Sequence, residues 1–185
     1  VPSSENLPDG AAVKPGDVVT SMAGITIEVI NTDAEGRLIL SDALALADAE
    51  SPDLLIDFAT LTGAARVALG TELPALYATD DDVAAAILTA GKKVYDPLWR
   101  MPLHTPYRRH LDSPIADIHN ISKGSYGGSI TAALFLKEFV TNTASWVHID
   151  TMAWNLDSRP GRPAGGEPMG ARALAQMLRT RYPAK

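Results

Sequence analysis

The chain has 185 residues, 46% of them hydrophobic, enough to bury the core of one domain. Sixteen basic against 22 acidic residues leave a formal charge of -6, with no basic footprint for nucleic acid. Without cysteines neither disulfides nor thiolate chemistry is available, and no apolar run approaches the length of a membrane-spanning helix. The expectation is a soluble, cytoplasmic protein.

Residues 1–16 are polar and rich in Pro and Gly, the composition of a surface loop. β-Branched runs over 17–22 and 25–30, separated by Ala23-Gly24, predict a hairpin. The stretch Asn31-Thr32-Asp33-Ala34-Glu35-Gly36-Arg37-Leu38-Ile39-Leu40 then joins a strand pattern to a helix pattern. Leu40, Ala43, Leu44 and Ala47 recur at helical spacing, predicting a helix over 37–49 that Ser51-Pro52 stops. In an extended link, residues two apart point the same way, so Asp33, Glu35 and Arg37 converge without a distant partner. Alternating acids beside a glycine present hard oxygens to a divalent metal, and the arginine can hold an anion next to it. A structural role suits the same residues: acids before a helix complement its dipole and orphan N–H groups, with Arg37 as their ion-pair partner. Spacing leaves both readings open.

Residues 53–59 (DLLIDFA) form a continuous apolar run, the pattern of a strand buried on both faces of an α/β sheet. Thr60-Leu61-Thr62-Gly63 turns from it into a helix over 64–69, with Thr62 as N-cap. Ligands gather at such strand ends in open α/β sheets. A strand is predicted over 73–78, and a helix over 83–95 that the acidic run Asp80-Asp81-Asp82 caps rather than forming a calcium loop. Residues 96–127 are irregular; His104, His110 and His119 fit no compact zinc spacing and read as surface or structural. The Gly-rich 123–129 lacks a phosphate-loop ending, and Ser129 is the expected N-cap of a helix over 130–140. WVHID at 146–150 is the last strong strand and 171–181 the closing helix. His148 reads as a core histidine, and Asp150 as a polar-network residue with metal ligation as the fallback. The predicted fold is α/β: three layers, a mixed, largely parallel central sheet, and helices on both faces.

The string NTDAEGRLIL, continuing through Ser41-Asp42-Ala43-Leu44, resembles the signature of the leucyl (cytosol) aminopeptidase family of two-metal exopeptidases. Matches run in order along nearly the whole chain. They include Ser4-Glu5-Asn6, Pro15-Gly16-Asp17-Val18, DFATLTG at 57–63, Trp99 to Leu103, Ala116-Asp117 with Asn120-Ile121, and Val147-His148-Ile149-Asp150. After Asp150 the chain departs from the pattern, with bulkier Met152-Ala153-Trp154 where small residues are common.

The resemblance implies two divalent metal ions, Zn²⁺ or Mn²⁺, with Asp33 ligating one and Glu35 bridging both. It implies a bicarbonate-like anion held by Arg37 as proton relay. Thr60 and Gly63 would line the pocket for the first side chain, and the Leu61 carbonyl would accept a hydrogen bond from the peptide. Peptides with a leucine-like N-terminal residue are the implied substrates and a homohexamer the implied assembly. Members of the family are longer, with an N-terminal domain; a Lys and two Asp metal ligands and a catalytic Lys precede the matching region. The chain is therefore expected to be the C-terminal part of the catalytic domain, inactive without that upstream segment. Two other readings stand beside it: an interaction or DNA-regulatory protein on the same scaffold, disfavoured by the acidic balance, and a structural domain whose acids cap a helix.

Overall fold

A computed structural model describes Pro2 and residues 9–183; Ser4, Glu5 and Asn6 lie outside the described residues. In chain order the elements are β1 (Val18–Thr20), β2 (Thr26–Glu28), α1 (Gly36–Asp48), β3 (Leu54–Ala59), α2 (Gly63–Leu69), β4 (Ala75–Ala78) and α3 (Asp81–Lys93). They continue with β5 (Trp99–Arg100), β6 (Ile118–His119), α4 (Gly128–Lys137), β7 (Ser145–Asp150), β8 (Trp154–Asn155), β9 (Gly165–Gly166) and α5 (Ala171–Arg181). The class is mixed α/β. Residues 1–55 with 103–144 form one compact unit, and 56–102 with 145–185 a second.

In the first unit β1 and β2 make the predicted antiparallel hairpin, and β2 pairs parallel with β6. Helices α1 and α4 pack together, and the short 3₁₀ helix Thr105–Leu111 packs on α4. Ile27, Val29, Leu44, Leu111, Ile118 and Phe135 are the buried heart of this unit. Helix α4 is buried from Thr131 to Leu136, which is why its sequence is apolar nearly all round. It begins earlier than expected, and its cap is Gly127 rather than Ser129. Gly127 takes a left-handed φ of +67°, and a Cβ there would meet the Tyr107 ring at 3.2 Å, so the turn demands glycine.

The far end of α1 is anchored by Asp48. Its carboxylate accepts from the backbone N–H groups of Thr141 (2.9 Å), Asn142 (2.9 Å) and Thr143 (2.8 Å) and from the Asn142 side chain (3.1 Å). Burial pushes the carboxyl pKa up, but the hydrogen bonds from Thr143, Thr141 and Asn142 outweigh it. The group ends well below the usual carboxylate range.

His119 is also buried here, with Nε2 3.3 Å from the Glu28 carboxylate. Desolvation lowers its pKa below the ordinary value of 6.5, against the opposing pull of Glu28, so folding favours the neutral ring. Because the folded pKa is the lower one, this ring's contribution to stability is complete above about pH 6.5 and erodes as the pH falls below that. His119→Phe is expected to flatten this part of the profile. Denaturant melts at pH 7.5 and pH 5.5 check it, and an unchanged pH difference in the variant refutes it.

In the second unit the sheet order is β3-β7-β4-β5, with β7 antiparallel and β5 parallel to β4. Every residue of β7 is buried, as befits an interior strand. The expectation for 53–59 is corrected: among the described residues β3 stands at the end of this sheet, only Asp57 of it is buried, and Phe58 is exposed. An apolar run reports how hydrophobic a strand is and says nothing of whether neighbours cover both sides.

Asp80 caps α3 as expected, accepting from Asp82 N (2.8 Å) and Val83 N (3.1 Å). Helix α5 starts without a side-chain cap of its own. Instead the buried Asp96 carboxylate accepts from Gly170, Arg172 and Ala173 N–H at 3.0–3.1 Å. Helices α3 and α5 approach closely at Gly91, where a Cβ would stand 3.4 Å from Ala173 Cβ of α5 and 2.7 Å from the Asp96 carbonyl.

Candidate active site

The stretch 31–37 is not the extended link that alternation predicts. Asn31 caps a 3₁₀ turn over Thr32–Ala34, its side chain accepting from Asp33 N at 2.9 Å, and Glu35 is already in helical backbone. The physical reason is local: the Asn carbonyl offers the backbone a turn that competes with extension. In helical backbone residues two apart fall roughly on opposite sides, about 200° around the axis. Convergence by alternation along an extended link therefore does not apply to this turn. Asp33 and Glu35 are exposed, whereas Arg37 is buried.

The guanidinium of Arg37 donates from Nη1 to the Asn120 carbonyl (2.8 Å) and lies 5.8 Å from the Phe135 ring centroid. Asn120, itself fully buried, clamps the chain just before the acids. Its Oδ1 accepts from Ile30 N (3.0 Å) and its Nδ2 donates to Asn31 O (2.6 Å). Arg37 and Asn120 together fix where the acid-bearing turn leaves β2. Sequence reasoning matched Asn120 to a family pattern without giving it a role; a lone Asn in an irregular stretch carries no local signal for one.

The capping alternative for the acids is not what is seen. Asn31 supplies the cap of the 3₁₀ turn, and Glu35, at the N-cap position of α1, makes no side-chain capping bond. Neither acid is in an ion pair among the described residues. Two accessible carboxylates match a hard divalent cation in donor chemistry. They do not fill a coordination shell. Among the described residues no group of three or more His, Asp or Glu could hold a metal ion. The histidines of the irregular region go elsewhere: His104 and His110 pack edge-on to Tyr107 at 4.6 and 5.4 Å.

Thr60, Leu61 and Gly63 lie together in the second unit, on the turn from β3 into α2, with Thr60 and Gly63 exposed. Thr62 caps α2 as predicted, accepting from Ala65 N at 3.0 Å. Asp150 organises this turn. Its Oδ1 accepts from Leu61 N (3.1 Å) and Thr62 N (3.2 Å), and its Oδ2 accepts from the Thr62 hydroxyl (2.6 Å). On β3 the buried Asp57 carboxylate bonds His148 Nδ1 (2.6 Å) and the Trp146 indole N–H (2.8 Å). His148 is the core histidine the sequence suggests, ring-stacked near Trp146 and Tyr77.

The cytosol aminopeptidase family model for the catalytic domain matches residues 1–175. The chain belongs to that family. A probable cytosol aminopeptidase of Verminephrobacter eiseniae is 52% identical over 170 residues, covering 92% of this chain and 32% of the relative. The crystal structure of a cytosol aminopeptidase from Coxiella burnetii superposes with a TM-score of 0.92 at 54% identity, covering 96% of this chain and 39% of that one. The bottromycin maturation enzyme BotP in complex with Mn superposes with a TM-score of 0.88 at 41% identity, covering 96% of this chain and 40% of that one. This family member thus spans about a third of the length of the curated relatives it matches. No helix among its described residues is long and apolar enough to cross a membrane.

Proposed function

We propose that this chain supplies one side of a divalent-metal aminopeptidase site that releases N-terminal residues, leucine among them, from peptides. The observation that carries the reading is the pair of accessible carboxylates, Asp33 and Glu35, at the head of a clamped helix in a member of this family. Asp33 and Glu35 hold the ions, Mn²⁺ or Zn²⁺, two in number. The remaining donors come from outside the described residues, since two carboxylates alone are too few. Bound divalent ions polarise a scissile carbonyl and make water a nucleophile near neutral pH.

The chain's own residues do the rest. Arg37 is a permanent cation fixed by Asn120 and Phe135, suited to holding a bicarbonate-like anion that accepts a proton. Thr60 and Gly63 line the pocket for the first side chain, and the Leu61 carbonyl accepts from the peptide. Assembly as a hexamer belongs to the same proposal.

The test is metal analysis and turnover of leucine p-nitroanilide for this chain assembled with the polypeptide that supplies the remaining metal donors. Chelation is expected to abolish release of the nitroaniline, Mn²⁺ or Zn²⁺ to restore it, and N-acetylation of the substrate to block it. Protein that binds no divalent metal, or cleaves the acetylated substrate equally well, overturns the proposal. Arg37→Ala is expected to lower kcat far more than it raises KM, with Arg37→Lys recovering part of the loss. Unchanged turnover in the alanine variant removes the proton relay from the scheme.

A further inference from the structure

We infer that Asp150 is a positioning residue for the peptide-binding turn: it sets the direction of the Leu61 carbonyl. The inference rests on the proposal that this carbonyl accepts a hydrogen bond from the substrate. Leu61 C=O and Thr62 N–H belong to one peptide unit, which is planar and trans, so its C=O and N–H point in opposite directions. Asp150 Oδ1 takes the Thr62 N–H at 3.2 Å and thereby aims the Leu61 oxygen away from the carboxylate. The same oxygen takes the Leu61 N–H at 3.1 Å, and Oδ2 takes the Thr62 hydroxyl at 2.6 Å. Three bonds to one side chain leave the turn little freedom to swivel.

The frame behind the carboxylate is stiff. Asp150 ends β7, pairs with Ala75 of β4, and is followed by a bond from Thr151 N to Ala59 O at 3.0 Å. Asp150 is itself buried, so it acts through Leu61 and Thr62 and not on the substrate. A carboxylate suits the task because it only accepts, and all three groups facing it are donors. Asn at 150 keeps the Oδ1 acceptor but faces the Thr62 hydroxyl with N–H groups; Ala removes every contact.

The experiment compares the wild type, Asp150→Asn and Asp150→Ala in the Mn²⁺-loaded assembly of this chain with the polypeptide that supplies the remaining donors, on a leucyl amide and on the leucyl ester in which the scissile N–H is replaced by oxygen. A misaimed carbonyl matters to the substrate that donates and not to the one that cannot. On the amide, kcat/KM is expected to fall on the order of 100-fold in the alanine variant, with asparagine between. On the ester the fall is far smaller. Hydrogen exchange of the Leu61 and Thr62 amides, a readout independent of turnover, is expected to accelerate in the same order.

Equal losses on amide and ester mean a general structural role and overturn the inference, as do unchanged exchange rates. Should the alanine variant fail to fold, Asp150→Asn and Thr62→Val carry the same comparison. Failure of the underlying reading looks different: a wild-type assembly, complete with the polypeptide that supplies the remaining donors, that hydrolyses neither substrate overturns the proposed function, and this inference with it.

Discussion

Glu35→Gln is expected to strip the protein of bound divalent metal and of metal-dependent turnover while leaving its fold untouched. The substitution preserves size and shape and removes only the anionic oxygens that a hard cation needs. Glu35 is exposed, makes no capping bond to α1 and forms no ion pair among the described residues, so stability should stay within about 0.5 kcal/mol. Turnover should fall at least about 100-fold, because the ions supply the main electrostatic stabilisation of the reaction. Asp33→Asn should behave alike. The two checks are metal content by elemental analysis and kcat on leucine p-nitroanilide, with a thermal melt as control. Full metal loading and normal turnover in both variants would exclude these carboxylates from the centre.

Asp48→Ala is expected to destabilise the first unit by about 3 kcal/mol at pH 7, since donors paired with a buried anion are left without an acceptor. The pH dependence has a definite sign. The folded carboxyl lies well below its unfolded value, so its contribution is complete above about pH 4 and is lost as the pH falls further. Urea unfolding at pH 7 should show the full difference between wild type and variant. At pH 3 the difference should shrink. An equal difference at both pH values would mean that the neutral side chain serves as well, contrary to the hydrogen-bond pattern.

Elements whose cause is local were legible in the sequence. Thr62 and Asp80 sit where their caps are needed, and Ala23-Gly24 turns the hairpin. The acids at 33 and 35 stand out in the sequence as candidate metal ligands through the family resemblance, while their alternation misleads because the stretch is not extended. The route by which they become accessible was not visible, because it depends on Asn31 bending the chain and on Asn120 holding it from 89 residues away. Asp48, Asp57, Asp96 and Asp150 tell the same story. Each carboxylate accepts bonds from donors 74 or more residues distant, and no window of sequence contains both partners. The place of β3 at the end of the described sheet was hidden for a related reason: composition records a strand's greasiness but not its neighbours.

Helix α1 is held at both ends along one side. Arg37 in its first turn reaches Asn120, and Asp48 in its last turn reaches the 141–143 loop, both side chains buried. Asp48 stands eleven positions on from Arg37, about three helical turns, so both project in the same direction. The number of residues between them is consequently as much a specification as their identities. One residue inserted anywhere in 38–47 swings Asp48 through about 100° relative to Arg37 and breaks one anchor or the other. Substitutions along the exposed side of this helix can drift freely, but its length cannot.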